Sequence, residues 1–333
     1  MDRRHTRGVH VTRYDRQTCL PEIGSAGQAR LAASRVLVAG AGGLGATLLP
    51  LLAGAGVGEI RVYDPDRVEE SNLHRQILFR MTDLGRPKAQ VAAEALTALN
   101  PDCRVTPVIA RLGPDNAADE IADADLIFDA ADAFATTYAL SDLCRDIGKP
   151  LISASVLGRQ GYVGGFCGAA PSIRAIFPDL PSNLQSCATA GVMGPAVATL
   201  GALQAQMGLS VLLDHRPSPL GQLVSLDMAS WRMSGFRFDD AQEPLTAVPQ
   251  VLGWGQITAD DLLFDLRDAA ELPSLTSAQV QRMPAASVAA LNPPGDRRAV
   301  FVCASGLRAW RAARVLNDAG HARVAILADP REG

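Results

Sequence analysis

Short apolar runs alternate with helix-like segments along the first half of the chain. The runs lie at 35–39 (R-V-L-V-A), 59–63, 125–131 and 151–155, and the segments between them have the length and composition of helices. Continuous apolar runs of this kind are typical of parallel strands that are buried on both faces. The pattern therefore predicts an α/β fold with a doubly wound sheet.

A second series of strand-like and helix-like segments follows an acidic, proline-containing stretch at 239–249. Strands are expected at 262–267, 299–302 and 322–327, with a helix at 309–319. We therefore predict a first domain, a linker and a small C-terminal α/β domain (1–240, 241–255 and 256–333).

A glycine-rich turn follows the first predicted strand. Gly40, Gly42 and Gly45 form the pattern G-x-G-x-x-G, Gly43 adds a fourth glycine, and Asp64 lies 19 residues past Gly45. Such glycines let the backbone approach phosphate, the following helix offers free N–H groups, and the acid accepts hydrogen bonds from ribose. The spacing predicts a nucleotide site on a Rossmann-like sheet.

Polar and cationic residues cluster after this acid. Asn72, Arg75 and Lys88 suit a triphosphate, whose charge needs more neutralisation than a pyrophosphate bridge. The cluster favours ATP over the NAD of a dehydrogenase, which the glycine turn alone leaves open. Asp132 follows the strand at 125–131, where ligands of parallel sheets bind. It is a candidate Mg²⁺ ligand, and the alternative is a helix N-cap for 133–146.

Composition narrows the class of protein. Hydrophobic residues make up 48%, charged residues 20%, and the net charge is -4, which argues against a nucleic-acid partner. The charged N-terminus (1–16) lacks the apolar core of a signal peptide. Glycines or amides interrupt the uncharged stretches at 36–58 and 180–213. We therefore expect a cytoplasmic protein with no membrane partner.

The six cysteines stand apart and form no CxxC pair (Cys19, Cys103, Cys144, Cys167, Cys187 and Cys303). Neither a disulfide framework nor a cysteine-rich zinc site is expected. Cys303 ends an apolar strand and opens a loop ahead of a helix, so backbone N–H groups and Arg308 are expected to stabilise a thiolate or a persulfide. The alternative is a structural cysteine.

Four stretches together resemble the E1-like adenylyltransferases that activate ubiquitin-like sulfur carriers. They are R-Y-D-R-Q (13–17), the glycine turn (40–45), D-P-D-R-V through S-N-L-H-R-Q (64–76) and C-A-T-A-G-V (187–192), within a resemblance that covers roughly 10–240. It implies that a carrier's C-terminal Gly-Gly carboxylate attacks the α-phosphorus of ATP and that pyrophosphate leaves. The nucleotide contacts it implies are Gly40, Gly42, Gly43, Gly45, Asp64, Asp66, Ser71, Asn72, Leu73, His74, Arg75, Lys88 and Asp132.

The same resemblance implies a homodimer, in which Arg16 reaches the ATP of the partner subunit. It also implies that Asp132 binds Mg²⁺ and that Cys187 is the family's reactive cysteine, which forms an acyl or a disulfide link in some members and is dispensable in others. The alternative for Cys187 is an ordinary buried cysteine. Two departures stand out. Ser172 and Ala175 occupy positions of a zinc-binding CxxC pair, and no cysteine lies near the second pair's place at 236–248, so we predict no zinc. Ala133 and Thr137 replace the family's usual asparagine and arginine.

The loop C-A-S-G-L-R, together with the upstream D-L-R at 265–267, resembles a rhodanese-like sulfurtransferase domain. The resemblance implies a persulfide on Cys303 within an active loop of Cys303, Ala304, Ser305, Gly306, Leu307 and Arg308. A cysteine desulfurase or another sulfur donor would charge it. The leading hypothesis is therefore an enzyme that adenylates a sulfur carrier and converts it to a thiocarboxylate. The alternatives are adenylation of a peptide or small carboxylate in secondary metabolism, and a non-catalytic scaffold that binds the carrier.

Overall fold

Two β-sheets organise the chain. The computed structural model describes residues 13–180, 191–244, 248–275 and 277–330. The strands of the first sheet are β1 (Arg35–Ala39), β2 (Glu59–Tyr63), β3 (Arg104–Val108), β4 (Leu126–Asp129), β5 (Pro150–Leu157), β6 (Gln160–Cys167), β7 (Gln222–Asp227) and β8 (Arg232–Arg237). Their order is β3-β2-β1-β4-β5-β6-β7-β8, and the first five are parallel.

Helices cover both faces of the parallel part, as the apolar runs predict. The helices of this half are α1 (Asp15–Thr18), α2 (Gly24–Ala33), α3 (Gly45–Ala55), α4 (Lys88–Leu99), α5 (Ala117–Asp123), α6 (Phe134–Ile147), α7 (Ile173–Ile176) and α8 (Gly194–Leu212). Val36 and Val38 of β1 belong to the core beneath α3, α4 and α8. Leu37 and Ala39 belong to the opposite core, beneath α5 and α6. This alternation explains why β1 is apolar throughout.

Helix α8 is long and apolar enough to cross a membrane by length and composition, yet half of the qualifying window is buried against the rest of the chain. Leu200 of α8 is fully enclosed in the core. Gln204 donates from Nε2 to the carbonyl oxygens of Asp129 (2.7 Å) and Ile152 (3.1 Å). The helix therefore packs against the sheet, and this burial explains its apolar composition.

The second sheet is entirely parallel. Its strands are β9 (Gln250–Leu252), β10 (Leu262–Asp265), β11 (Val280–Arg282), β12 (Ala299–Cys303) and β13 (Val324–Ala328), in the order β11-β10-β12-β13-β9, and α9 (Leu307–Asp318) packs on β12 and β13. Strand β9 falls inside the range predicted to be a linker. It is recruited by pairing with β13, a contact between distant positions that local composition does not reveal.

One hydrophobic core runs between the two sheets. Trp310 of α9 is buried against Phe134 and Tyr138 of α6, with ring centroids 6.4 and 5.4 Å apart. The Trp310 indole N–H donates to Asp179 at 2.7 Å. Core residues of both halves join the same cluster, so the second sheet is packed against the first.

Arg174 contacts residues on both sides of this junction. Its guanidinium makes two hydrogen bonds to Asp142 (2.6 and 2.8 Å), donates to the carbonyl oxygen of Pro249 (3.2 Å), and lies over the rings of Tyr138 and Trp310. We expect Arg174→Ala to lower the free energy of unfolding by about 2–4 kcal/mol, because it leaves the Asp142 carboxylate unpaired and removes ring contacts. Urea denaturation measures this loss.

The matched control for that measurement is Arg216→Ala. Arg216 pairs with Asp214 at 3.0 Å, but both side chains are mostly exposed (76% and 67%). An exposed pair of this kind contributes less than about 1 kcal/mol. Equal losses in the two variants would contradict the role assigned to Arg174.

Candidate active site

A cavity of about 470 Å³ lies at the carboxyl ends of the parallel strands of the first sheet. The predicted nucleotide contacts that line it are Gly40, Gly42, Gly43, Asp64, Asp66, Asn72, Arg75, Lys88 and Asp132. Residues from four separate segments of the chain thus converge on one space. The remaining predicted contacts (Gly45, Ser71, Leu73 and His74) are not part of its wall.

Two glycines give the turn its shape. Gly40 has a φ of +102°, and a Cβ there would lie 2.6 Å from the carbonyl oxygen of Ala130. A Cβ on Gly45 would overlap the carbonyl oxygen of Gly40. The absence of a side chain at Gly45 therefore lets the backbone of the turn pack closely against Gly40. This explains why the pattern requires Gly45 although it does not line the cavity.

Asp64 braces the glycine turn. Its side chain is buried, and its two oxygens accept hydrogen bonds from the backbone N–H groups of Ala41 and Asp66, both at 2.8 Å. Burial raises the pKa of Asp64, while these hydrogen bonds and the charge of Lys88 lower it. A carboxylate has further acceptor sites, so Asp64 can brace the turn and still accept from ribose hydroxyls.

The polar side chains predicted to hold phosphates are pre-ordered by one another. Lys88 is 5% exposed, and its Nζ lies 2.9 Å from Oδ2 of Asp66. Arg75 donates from Nη2 to Oδ1 of Asn72 at 2.6 Å. Asn72 in turn donates to Glu69 at 3.0 Å. The cations therefore face the cavity in fixed positions before any ligand arrives.

The predicted contacts Ser71, Leu73 and His74 lie next to the cavity wall without forming part of it. Ser71 donates to Glu69 at 3.3 Å, and His74 Nδ1 lies 3.1 Å from the Ser71 carbonyl oxygen. Leu73 packs against the core beneath the sheet. These residues shape the turn that carries Asn72 and Arg75.

Several lining residues were missed from the sequence. Arg67, Glu69, Gln76 and Arg111 also border the cavity. Arg111 follows the carboxyl end of β3, so the rule that ligands bind at strand ends could have found it. Gln76 is buried, and its Oε1 accepts no hydrogen bond within the part of the chain that the structure describes. An unpaired buried acceptor beside the glycine turn suits a donor group on a bound ligand.

Asp132 lies in the cavity wall just past β4. Helix α6 begins at Phe134 with Ala133 at its N-cap and no side-chain cap hydrogen bond, so the N-cap alternative for Asp132 is wrong. Thr137 does not line this cavity, and its hydroxyl donates to Asp129 at 2.6 Å. The position at which the family usually carries arginine therefore serves the core in this chain.

Asp129, at the end of β4, is a buried carboxylate that sequence reasoning did not single out. Its oxygens accept from Thr137 (2.6 Å), Ser153 (2.8 Å) and the backbone N–H of Ala131 (3.2 Å). Burial raises the pKa of Asp129 to about 6, although these hydrogen bonds act in the opposite direction. Asp129 thereby holds the backbone that leads to Asp132.

The raised pKa of Asp129 predicts a pH dependence. A carboxyl group whose pKa is higher in the folded state stabilises that state most when protonated, so the contribution of Asp129 to stability falls as pH rises from about 4 to 6. The fall amounts to about 3 kcal/mol. We expect Asp129→Asn to remove this component, measured by urea unfolding at about pH 4.5, 5.5 and 7. Asp240→Asn, at an exposed site, should keep the wild-type slope, and an unchanged slope in Asp129→Asn would contradict the assignment.

Cys303 ends β12 and is fully buried, whereas Ala304 and Ser305 are exposed. Helix α9 begins at Leu307, and the backbone N–H of Ala309 points at Sγ of Cys303 at 3.4 Å. The helix terminus therefore faces the thiol, as the loop's position between strand and helix predicts.

Arg308 does not act alone beside this thiol. Its guanidinium makes two hydrogen bonds to Glu271 (2.6 and 2.5 Å) and one to the carbonyl oxygen of Leu266 (3.3 Å). The Glu271 carboxylate raises the pKa of Arg308, and the nearby Cys303 raises that pKa further. Glu271, which the sequence alone did not indicate as a site residue, fixes Arg308 next to the loop and offsets part of its charge.

Three further predicted features lie elsewhere. Arg16 is exposed on α1 and does not line the cavity of its own chain, so the idea that it serves a partner subunit stays a prediction. Cys187 lies outside the described residues.

Ser172, at a position of the zinc-binding pair, caps α7 and donates hydrogen bonds from its backbone N–H and its Oγ to the Glu243 carboxylate, both at 2.7 Å. This contact joins the two segments that the family's zinc would join.

Comparisons with known proteins agree with this geometry. A model of the ThiF family matches residues 14–246. The chain is 42% identical over 225 residues to the sulfur carrier protein adenylyltransferase of Thermus thermophilus, covering 65% of this chain and 83% of that protein. It is 33% identical over 348 aligned positions to the probable adenylyltransferase/sulfurtransferase MoeZ of Mycobacterium tuberculosis, covering 93% and 89%. The solved structure of Escherichia coli MccB with MccA-N7isoASN has the same fold, with a TM-score of 0.62, 21% identity and coverage of 71% and 74%.

Proposed function

Because the chain belongs to the ThiF family, we propose that it adenylates the C-terminal Gly-Gly carboxylate of a ubiquitin-like sulfur-carrier protein and then converts that carrier to a thiocarboxylate. Relatives named for both activities, one of which aligns with 93% of this chain, support the two-step proposal. We further propose that it works as a cytoplasmic homodimer that receives sulfur from a cysteine desulfurase or a similar donor.

The single observation that carries the proposal is the composition of the cavity wall. Four cations line it beside the glycine turn (Arg67, Arg75, Lys88 and Arg111). This is the charge that a triphosphate and its departing pyrophosphate require. Asp132 in the same wall fits Mg²⁺, which proteins usually hold through one or two carboxylates together with phosphate oxygens. Bound there, Mg²⁺ would neutralise charge on the phosphates.

The residues of this chain perform the first step by positioning. The glycine turn and the first turn of α3 direct backbone N–H groups at the phosphates, and Asp64 orients the ribose. The carrier carboxylate attacks the α-phosphorus, a P–O bond forms, and the bond to pyrophosphate breaks. Lys88, Arg75 and Arg111 take up the charge of the leaving group. No proton-transfer base is needed, because a carboxylate is already the nucleophile at neutral pH.

The second step uses the loop of Cys303, which we propose to be a rhodanese-like active loop. A persulfide on Cys303 is held by the N-terminus of α9 and the Ala309 N–H. Its outer sulfur attacks the carbonyl carbon of the acyl adenylate, a C–S bond forms, and AMP leaves. A second thiolate then attacks Sγ of Cys303, which releases the thiocarboxylate and leaves a disulfide for a thiol reductant to open. Cys187 is our candidate for that second thiolate.

Intact-mass analysis tests both steps. The chain is incubated with a ubiquitin-like carrier ending in Gly-Gly, ATP and Mg²⁺, with or without a cysteine desulfurase and L-cysteine. We expect an AMP adduct of the carrier without the sulfur source and a thiocarboxylate with it. A carrier that lacks its last glycine serves as the control. Absence of both products, together with absence of ATP–pyrophosphate exchange, would favour the non-catalytic scaffold.

A further inference from the structure

A second, larger cavity borders both halves of the proposed reaction. It has a volume of about 1260 Å³ and lies between the two sheets. Asp132 and Ser155, which line the nucleotide cavity, also form part of its wall. Ala304 and Ser305 of the Cys303 loop form another part. We call this space the joint cavity, because it shares part of its wall with the nucleotide cavity and reaches the Cys303 loop.

The Cys303 loop packs directly on the helix that follows Asp132. A Cβ built on Gly306 would lie 3.1 Å from Cζ of Phe134 and 3.6 Å from Cβ of Ala135. Gly306 also has a φ of +83°, which side chains rarely adopt. The loop can therefore approach this helix closely only with glycine at position 306. Phe134 is two positions past Asp132, so the loop and the proposed Mg²⁺ ligand are near neighbours within one chain.

Buried contacts hold the two parts in this arrangement. The ring of Phe134 packs edge-on against Trp310 of α9, the helix that the Cys303 loop opens. The Asp115 carboxylate accepts hydrogen bonds from the backbone N–H groups of Trp254 (3.0 Å) and Gly255 (2.9 Å) across the same junction. Because these contacts join distant parts of one chain, each nucleotide cavity has its own Cys303 loop beside it.

We propose that the joint cavity holds the acyl end of the carrier, and that sulfur passes from Cys303 to the acyl adenylate formed at the Asp132 site of the same chain. This inference rests on the proposed function. The wall carries the aromatic rings of Tyr138, Tyr162 and Phe177, which suit an extended, uncharged backbone ending in glycines. Because the cavity reaches both sites, the adenylate need not leave the chain before it meets the persulfide.

The transfer balances without any group beyond those of the proposed function. The outer persulfide sulfur forms a bond to the carbonyl carbon, and the C–O bond to AMP breaks, with the electron pair leaving on the AMP phosphate. The second thiolate of the proposed function then attacks Sγ of Cys303 and expels the thiocarboxylate, which leaves a disulfide on Cys303. A thiol reductant opens this disulfide and returns Cys303 to its reduced form, so two electrons come from the reductant.

Mixed dimers distinguish transfer within a chain from transfer between chains. Cys303→Ala and Asp132→Ala chains carrying different affinity tags are co-expressed, and the mixed dimer is purified through both tags. One chain then retains the intact Asp132 site and the other the intact Cys303. The matched control is a mixed dimer of wild type with the double variant, which has the same two substitutions on a single chain. Thiocarboxylate is measured by intact mass.

We expect the control dimer to form thiocarboxylate at about half of the wild-type rate, because one of its two equivalent chains is complete. The separated dimer should form less than about one twentieth of the wild-type amount, since neither chain has both sites. Equal rates in the two dimers would overturn transfer within one chain. Failure of the wild-type homodimer itself would instead overturn the proposed function, so the two failures are distinguishable.

Discussion

Cys303→Ala is expected to abolish thiocarboxylate formation, by at least about 10³-fold, while ATP–pyrophosphate exchange stays within about twofold of wild type. The substitution removes the atom that carries the transferred sulfur. It leaves the nucleotide cavity intact, because that cavity is built from the loops of the first sheet and Cys303 is not in its wall. The two activities are measured by intact mass of the carrier and by exchange of labelled pyrophosphate.

Cys19→Ala is the control for this separation of activities. Cys19 is exposed near α1 and lines neither the nucleotide cavity nor the joint cavity. Both activities should therefore survive its removal. If Cys303→Ala still produced thiocarboxylate at more than about a tenth of the wild-type rate, sulfur would have to enter by another route and the role of the Cys303 loop would be refuted.

Asp132→Ala should remove both activities, since no thiocarboxylate can form without an adenylate. We expect pyrophosphate exchange to fall by about 10²–10³-fold, which corresponds to the loss of charge neutralisation at the phosphates. Asp132→Asn should be nearly as impaired, because asparagine keeps the size of the side chain but lacks the charge that Mg²⁺ requires. Exchange is measured over a range of Mg²⁺ concentrations.

Asp125→Asn provides the matched comparison. Asp125 immediately precedes β4 and accepts a hydrogen bond from the Arg35 N–H, at the opposite end of the strand from Asp132. Its neutralisation should change exchange by less than about threefold. Wild-type exchange in Asp132→Asn would show that the carboxylate charge is dispensable and would remove Asp132 from the proposed Mg²⁺ site.

The first sheet and its nucleotide cavity were largely predictable, because their signals are local. The apolar runs at 35–39 and 59–63 coincide with β1 and β2, and the glycine turn follows β1 as expected. Phosphate-binding turns need particular backbone shapes, so the residue types at 40–45 report the geometry directly. The order of the strands around β1 then brings Asp132 to the same edge.

The features that escaped prediction depend on contacts between distant positions. Glu271 reaches Arg308 across 37 positions, and Trp310 meets Asp179 across 131. Strand β9 has only three residues and is defined by its partner β13. Asp129 looks like any acid at a strand end until its burial is known. None of these arrangements leaves a periodic or compositional trace in the sequence.

The core that runs between the sheets has an evolutionary consequence. A catalytic unit on a flexible tether can be exchanged between relatives by recombination, because few contacts cross its boundary. Here the Trp310 indole fills the space beside Phe134 and donates to Asp179, so a foreign second unit would have to carry an equivalent indole that fits the first half. The two halves of this chain are thus expected to change together, with compensating substitutions on α6 and α9, and chimeras that join halves of different relatives should fold poorly unless both faces are transplanted.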